Sequence, residues 1–326
     1  MDMNMTSLVN AYFANYNAIC KTFKFGYNDL YAACANLLCS HGLVATPESL
    51  DAANRIVKSN SGIFSAFRGN LQASCATMLL TDSDPQQKFM TAQKNYELLK
   101  KYFFSSDYLV LTAFLLIDMA TPEQSVTMIE RGKELYEMMK KQHPFLTSSE
   151  DSVFAVMLAA SPKDDDALIA DMEESYRLLN HFGDSNTRQT LSHILALSDA
   201  EPQAKCAQLL TLFQTIGAAG GKYGKSYELS VLAALTVLNP DPQQAVNDIL
   251  AVDAALQQHP DYKGVFGIST KSRMMHAAML VTTAYAPNTF ADAAAAASAA
   301  ASIAAQEAAM CAAMGSLTAA TIVMDT

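Results

Sequence analysis

The sequence predicts an all-α protein, a helical-hairpin repeat of the α-solenoid kind with HEAT- or armadillo-like stacking, and three observations carry that prediction. Pro47, Pro85, Pro122, Pro162, Pro202, Pro242 and Pro287 stand 38, 37, 40, 40, 40 and 45 residues apart. Behind these prolines the apolar residues recur on one helical face, as in Phe89, Ala92, Tyr96 and Leu99, and again in Cys206, Leu209, Phe213 and Ile216. The run Tyr96-Glu97-Leu98-Leu99-Lys100-Lys101 returns at Tyr136 to Lys141, and its tyrosine and paired aliphatics return at Tyr176, Leu178 and Leu179.

Taken along the chain, residues 3–19 make an amphipathic helix through Leu8, Tyr12, Phe13, Tyr16 and Ile19, outside the period. Most of the prolines follow a short polar residue: Thr46, Asp84, Thr121, Ser161, Glu201 or Asp241. That pair starts a helix, because the side chain caps the first turn and proline's φ is already helical. A dense apolar run precedes each proline, among them Cys75 to Leu80, Thr112 to Ile117, Phe154 to Leu158 and Val231 to Leu238. The short gap to the proline reads as a tight turn inside a hairpin of about 40 residues. A lone hairpin cannot bury its apolar face, so neighbours must stack. Phe67, Phe104, Phe145, Phe182, Tyr223 and Phe266 mark the joints and read as hydrophobic staples. In the stretch 291–320, 17 of 30 residues are Ala, a strong helix former. The expected organisation is one domain over 1–326: an N-terminal cap at 1–25, about six stacked hairpins over 26–286, and an Ala-rich last hairpin with a C-terminal cap over 287–326. An open stack is preferred to a closed ring because the two ends differ so much in composition.

Composition narrows the function classes. The chain has 326 residues, is 51% hydrophobic and carries a formal charge of −10, so it has a real core and no basic block for a nucleic-acid backbone. Trp is absent and aromatics are 9%, which argues against sugar- or base-stacking. The start, with Asp2 and no Lys or Arg before Lys21, lacks the features of a signal peptide. The uncharged stretch 308–324 is too short and too rich in Ala, Thr, Ser and Gly for a membrane helix. Cys20, Cys34, Cys39, Cys75, Cys206 and Cys311 form no CxxC pair and read as reduced thiols. The expected location is the cytoplasm, with no membrane and no nucleic acid as partner.

Motif look-alikes resolve to structure. Gly220 to Ser226 ends like a phosphate-binding loop, but Ala219 stands where the motif needs glycine and both flanks are helical. Asp164-Asp165-Asp166 sits in a first turn, where carboxylates complement the helix dipole. Cys34, Cys39 and His41 lack the spacing of a zinc site. His193 takes a row otherwise held by Ala76, Ala113, Ala233 and Ala278, and reads as a packing residue. No catalytic constellation, cofactor site or metal site is expected. One row varies in polarity: fourteen residues before six of the prolines stand Leu71, Tyr108, Ser148, Arg188, Glu228 and Arg273. Stacking aligns such a row, so the candidate binding stripe is Asn70, Asp107, Tyr108, Arg188, Glu228 and Arg273; the alternative is plain solvated surface.

The pattern resembles an uncharacterised bacterial family, mainly from Firmicutes, known as domain of unknown function 4003. The residues that prompt this are Phe23-Lys24-Phe25, Phe67-Arg68-Gly69-Asn70 and Ala304-Ala305-Gln306-Glu307-Ala308-Ala309-Met310. The resemblance implies a cytoplasmic bacterial protein and brings no activity, ligand or catalytic residue. The functional expectation is therefore a helical-repeat interaction or scaffold protein with a protein or peptide partner. The alternative is an α/α-barrel enzyme with a central pocket lined by carboxylates or histidines.

Overall fold

The computed structural model describes residues 3–24, 27–264 and 267–286. Pro287, the Ala-rich last hairpin, the C-terminal cap, Phe25, Phe266 and Cys311 lie outside the described residues. Within them every element is helical: α1 (Met3–Thr22), α2 (Asn28–Ser40), α3 (Pro47–Asn60), α4 (Gln72–Leu79), α5 (Pro85–Leu99), α6 (Asp107–Met119), α7 (Pro122–Gln142), α8 (Asp151–Leu158), α9 (Asp165–Leu178), α10 (Ser185–Leu195), α11 (Pro202–Ala218), α12 (Leu229–Val237), α13 (Pro242–Leu256) and α14 (Thr270–Tyr285), with short 3-10 turns at Gly69–Leu71 and Pro260–Tyr262.

The proline rule holds at the helix starts with one exception. Thr46 and Thr121 form capping boxes with Ser49 and Gln124, and Asp84 and Asp241 accept from the backbone N–H of Gln87 and Gln244. Helix α9 instead starts at Asp165, capped by Asp164, and leaves Pro162 in the preceding turn. The guanidinium of Arg131 explains the delay. It donates to the carbonyls of Ala159, Ser161 and Lys163 and pairs with Asp165 at 2.8 Å, holding the turn out of the helix.

The hairpins are phased differently from the sequence expectation. Among helices consecutive in the chain, the ones that pack closely are α1 with α2, α3 with α4, α5 with α6, α7 with α8, α9 with α10, α11 with α12 and α13 with α14. Each proline turn is thus a corner between hairpins rather than the bend within one. The odd-numbered helices make an outer layer and the even-numbered ones an inner layer. In the inner layer α2 packs on α4, then α6 on α8, α8 on α10, α10 on α12 and α12 on α14. Between α4 and α6, α5 packs on both, and the Phe67 and Phe114 rings sit 6.2 Å apart.

The open stack is corrected at the ends. Helix α14 returns to pack on α2, and α1 packs on α3, α13 and α14, so both layers close into a ring. Residues 3–22 are therefore an outer-layer helix joining first and last hairpins, not a cap. Unlike composition at the ends did not prevent closure, because the contact is made by α1, α2 and α14, which bury apolar side chains such as Ile19, Leu30 and Leu280 together with paired polar ones. Hydrogen bonds fix the seam: Tyr12 to Tyr262 at 2.7 Å, Tyr262 to His276 at 2.8 Å, His276 to Asp29 at 3.0 Å and Thr283 to Asn36 at 3.0 Å. One apolar cluster runs from Met5 to Val281.

Inner helices are short and buried all round; all eight residues of α8 are buried. A helix apolar on every face belongs in such a position, and Ala32, Ala76, Ala113, Ala155 and Ala233 permit the crowding. Gly132 of α7 does the same between layers. A Cβ there would lie 2.9 Å from Val156 Cγ2 and 3.0 Å from its Cα. Gly132→Ala is expected to destabilise by about 1–3 kcal/mol from overpacking, outweighing the gain of about 1 kcal/mol in helix propensity. Urea denaturation checks the sign, and a stabilised variant would mean that the layers yield freely.

The joint aromatics divide. Phe67 packs on Phe89, Tyr96 and Phe114, Tyr223 is buried, and Phe182 meets Phe213 at 5.1 Å. Phe104 and Phe145 are 92% and 98% exposed and staple nothing. At the α5–α6 joint the inward aromatic is Phe103, edge-on to Tyr136 at 5.6 Å.

Candidate functional site

Antiparallel hairpins in a ring put all outer-to-inner connections on one face, here termed the tip face, and all proline corners on the other. The tip face carries the starts of the inner helices, and with them the predicted stripe. Asn70 and Asp107 are exposed there, at the 3-10 turn before α4 and the first residue of α6, and Tyr108 is half-buried. Arg188 lies over the Tyr176 ring at 4.5 Å and donates to Asn180 and Ser185. Arg188→Ala is expected to cost about 0.5–1 kcal/mol, the size of an accessible cation–π contact, readable as a small shift in the thermal midpoint; a larger loss would make Arg188 part of the core.

Glu228 and Arg273 do other work. Both are buried. The Glu228 carboxylate accepts from Ser226 N–H at 3.1 Å and fills the space above Gly224, where a Cβ would stand 2.0 Å from its Cδ. That contact accounts for the glycine in the loop that mimics a phosphate-binding motif. Arg273 grips Asp253 with two bonds of 2.7 and 3.1 Å. The structure thus leaves Asn70, Asp107, Tyr108 and Arg188 facing outward and locks the other two into hairpin contacts.

Two buried polar clusters at inner-helix starts escaped the sequence reading. At the seam, the Tyr12 and Tyr262 hydroxyls share a hydrogen bond, Tyr262 is hydrogen-bonded to His276 Nδ1, His276 Nε2 donates to Asp29 Oδ1, and Tyr227 donates to Asp29 Oδ2 at 3.3 Å. Burial alone would raise the Asp29 carboxyl, but the bonds and charge of His276, with Tyr227 and Ser272, hold it below its ordinary value. Across α8 and α10, Asp151 accepts from Ser148 N–H at 2.6 Å and lies 3.1 Å from His193 Nδ1, while Gln189 donates to Thr147 at 3.1 Å. Gln189 Oε1 and His193 Nδ1 have no hydrogen bond within the chain; the His193–Asp151 approach is close but out of line. Beside them Glu150 is pushed up to about 8 by burial and by the charge of Asp151. The signal for these groups lay in acids placed two residues into dense apolar runs, which helix-start electrostatics explains equally well. Asp164 caps α9 as expected, and among the described residues no group of three His, Cys, Asp or Glu is arranged to hold a metal ion.

The rim of the tip face is apolar and basic. Phe64, Phe104 and Phe145 are 96%, 92% and 98% exposed, each at the tip of one of three consecutive hairpins, and Ile63 is exposed beside the first. Exposed Lys58, Lys101, Lys140 and Lys141 flank them, and Lys100 pairs with Glu97. The segments 58–70, 100–106 and 140–149 contain no Asp or Glu. Beside the first tip a cleft of about 270 Å³ is lined by Lys24, Lys58, Tyr27, Asn54, Asn70 and Gln72. The corner face has the opposite charge: Asp82, Asp84, Glu123, Asp199, Glu201 and Asp241 lie at its turns and helix starts, together with the run Asp164–Asp166.

Comparison with known sequences places the chain as follows. Residues 15–308 match the family described as Protein of unknown function (DUF4003). An uncharacterized protein, YeaA, of Bacillus subtilis (strain 168) is 31% identical over 216 residues, which is 64% of this chain and 64% of that relative. No solved structure matches.

Proposed function

We propose, for a chain that belongs to the family Protein of unknown function (DUF4003), a non-catalytic role as a ring-shaped interaction scaffold that meets its partner with the tip face. The observation that carries this reading is the row Phe64, Phe104 and Phe145, exposed at three successive tips on one side. Single exposed apolar residues are ordinary, but these three recur at the corresponding tip of successive hairpins, all on one face. Asn70, Asp107, Tyr108 and Arg188 share that face and would rim the contact. The ring acts as one unit in the cytoplasm, a placement supported by free cysteines such as Cys34, whose thiol burial pushes up to about 11.

A second reading, an α/α-barrel enzyme, is favoured by one observation: the Glu150 carboxyl, pushed up to about 8, adjoins Asp151, which lies 3.1 Å from His193 Nδ1. Against it, the inner helices are packed on all sides.

Photo-crosslinking from the two faces tests the scaffold reading. With Phe104→p-benzoylphenylalanine or Phe145→p-benzoylphenylalanine, irradiation in cells is expected to give adducts with what covers the tips, protein or lipid, and with Asp82→p-benzoylphenylalanine on the corner face none. Equal labelling from both faces, or none from the tips, overturns it.

A further inference from the structure

We infer that the tip face docks on an anionic lipid bilayer, with Phe64, Phe104 and Phe145 entering the boundary between headgroups and acyl chains and Lys58, Lys101, Lys140 and Lys141 lying against lipid phosphates. This rests on the reading that the tip face meets the partner, and it names that partner's chemistry.

The first argument is geometric. All three phenyl groups sit on outer-to-inner connections of adjacent hairpins, so they leave the ring on the same side, and three points define a plane. Their separation matters as much. Each phenyl stands on its own loop about one hairpin from the next, with lysines between, so they form no continuous apolar patch of the kind that anchors protein interfaces. A bilayer has no such requirement: it accepts separate wedges at one depth, and aromatic rings at the headgroup level are its characteristic anchors.

Charge supplies the second argument. With a formal charge of −10 the chain should be repelled by an anionic surface. The three phenyl-bearing connections are nonetheless free of acids: no Asp or Glu occurs in 58–70, 100–106 or 140–149, the exposed Asp107 begins just past the second, and Asp82, Asp84 and Asp164–Asp166 crowd the corner face. A molecule polarised in this way orients itself, basic side down, within a Debye length of the membrane. The cleft is lined by Lys24, Lys58 and Tyr27, whose ammonium and hydroxyl groups are the donors for one phosphate headgroup, while Gln72 donates its amide to Asn54 within it. Docking is the only membrane relation at issue, since no helix among the described residues is long and apolar enough to cross.

Co-sedimentation of the full chain with vesicles tests this, using phosphatidylcholine alone and phosphatidylcholine mixed with phosphatidylglycerol. The protein is expected to sediment with the mixed vesicles and not the neutral ones, and to be released by salt. Phe104→Ser should weaken binding at least about tenfold as one ring's buried area is lost, and Phe64→Ser/Phe104→Ser/Phe145→Ser should abolish it. Lys101→Gln/Lys140→Gln/Lys141→Gln should weaken it about 100-fold on mixed vesicles, at roughly fivefold per charge. Asp82→Asn/Asp84→Asn should change nothing. The substituted side chains are exposed, so thermal midpoints should hold, and the single Phe104→Ser variant suffices if the triple fails to fold. Absence of binding to mixed vesicles, or Phe104→Ser binding as tightly as the parent chain, overturns the proposal. If vesicles fail while positions 104 and 145 crosslink to a protein, the lipid assignment falls and the tip-face reading stands. If both fail, both fall.

Discussion

Replacing His276 by alanine is expected to destabilise the protein by about 3–5 kcal/mol, the range for removing one partner of a buried ion pair. His276 is fully buried between two groups that depend on it: Nε2 donates to Asp29 at 3.0 Å and Nδ1 is hydrogen-bonded to the Tyr262 hydroxyl at 2.8 Å. Alanine leaves the Asp29 carboxylate with Tyr227 and Ser272 only, and leaves the Tyr262 hydroxyl without its imidazole partner. It also removes an imidazole from the contact of α14 with α2. The loss falls where the first hairpin meets the last, so it should open the ring as well as weaken it. Spin labels on α2 and α14 should report a longer, broader distance in the variant at denaturant levels the parent tolerates. The pH dependence has a definite sign. Asp29 is held below its ordinary value of 3.8. Its contribution is therefore present above pH 3.8 and is lost as pH falls through the lower folded value. Parent and variant should converge in strong acid and differ most near neutrality. An unchanged urea midpoint at pH 7 would mean that the seam network is ornamental and that apolar packing alone closes the ring.

How much of this was legible beforehand follows from the physics of each element. The proline corners were readable because capping is local: Thr46, Asp84, Thr121 and Asp241 each act on an N–H three residues away. The inner helices were readable as dense apolar runs. Closure was not, because it depends on contacts between residues about 250 apart, such as Tyr12 with Tyr262, and no periodicity encodes such a pairing. Hairpin phase failed for a related reason: a short connection was taken for intimacy, while the longer loops between outer and inner helices let those helices lie alongside each other. Of the predicted stripe, Asn70 and Asp107 face outward, but Glu228 and Arg273 are drawn inward by Ser226 and Asp253. A row position fixes which face of the ring a residue joins; its neighbours decide whether it reaches the surface. Phe104 and Phe145 show the converse. An aromatic at a joint looks like a staple until the adjacent Phe103 is seen to take the inward place.

Glu150→Gln is the substitution expected to stabilise. Glu150 stands just before α8 and makes no capping bond with the helix. Burial first, and the neighbouring Asp151 carboxylate second, push it from 4.5 to about 8. At pH 7 the folded chain holds a proton there that the unfolded chain has released. Between about 4.5 and 8 the native state therefore binds more protons than the unfolded state, and stability falls as pH rises, by at most about 1.4 kcal/mol per pH unit. Glutamine has nearly the same shape and no proton to lose, so the variant should match the parent at pH 4.5 and exceed it by about 2–4 kcal/mol at pH 8. Urea denaturation of both proteins across that range measures the difference directly. A parallel pair of curves would place the carboxyl in solvent and remove the one group that favours an acid–base role. A divergence of the expected size would show a carboxylic acid held neutral at a cost in stability beside Gln189 and His193, whose Oε1 and Nδ1 are both without a hydrogen bond inside the chain. Stability given up in this way is characteristic of sites that bind or react.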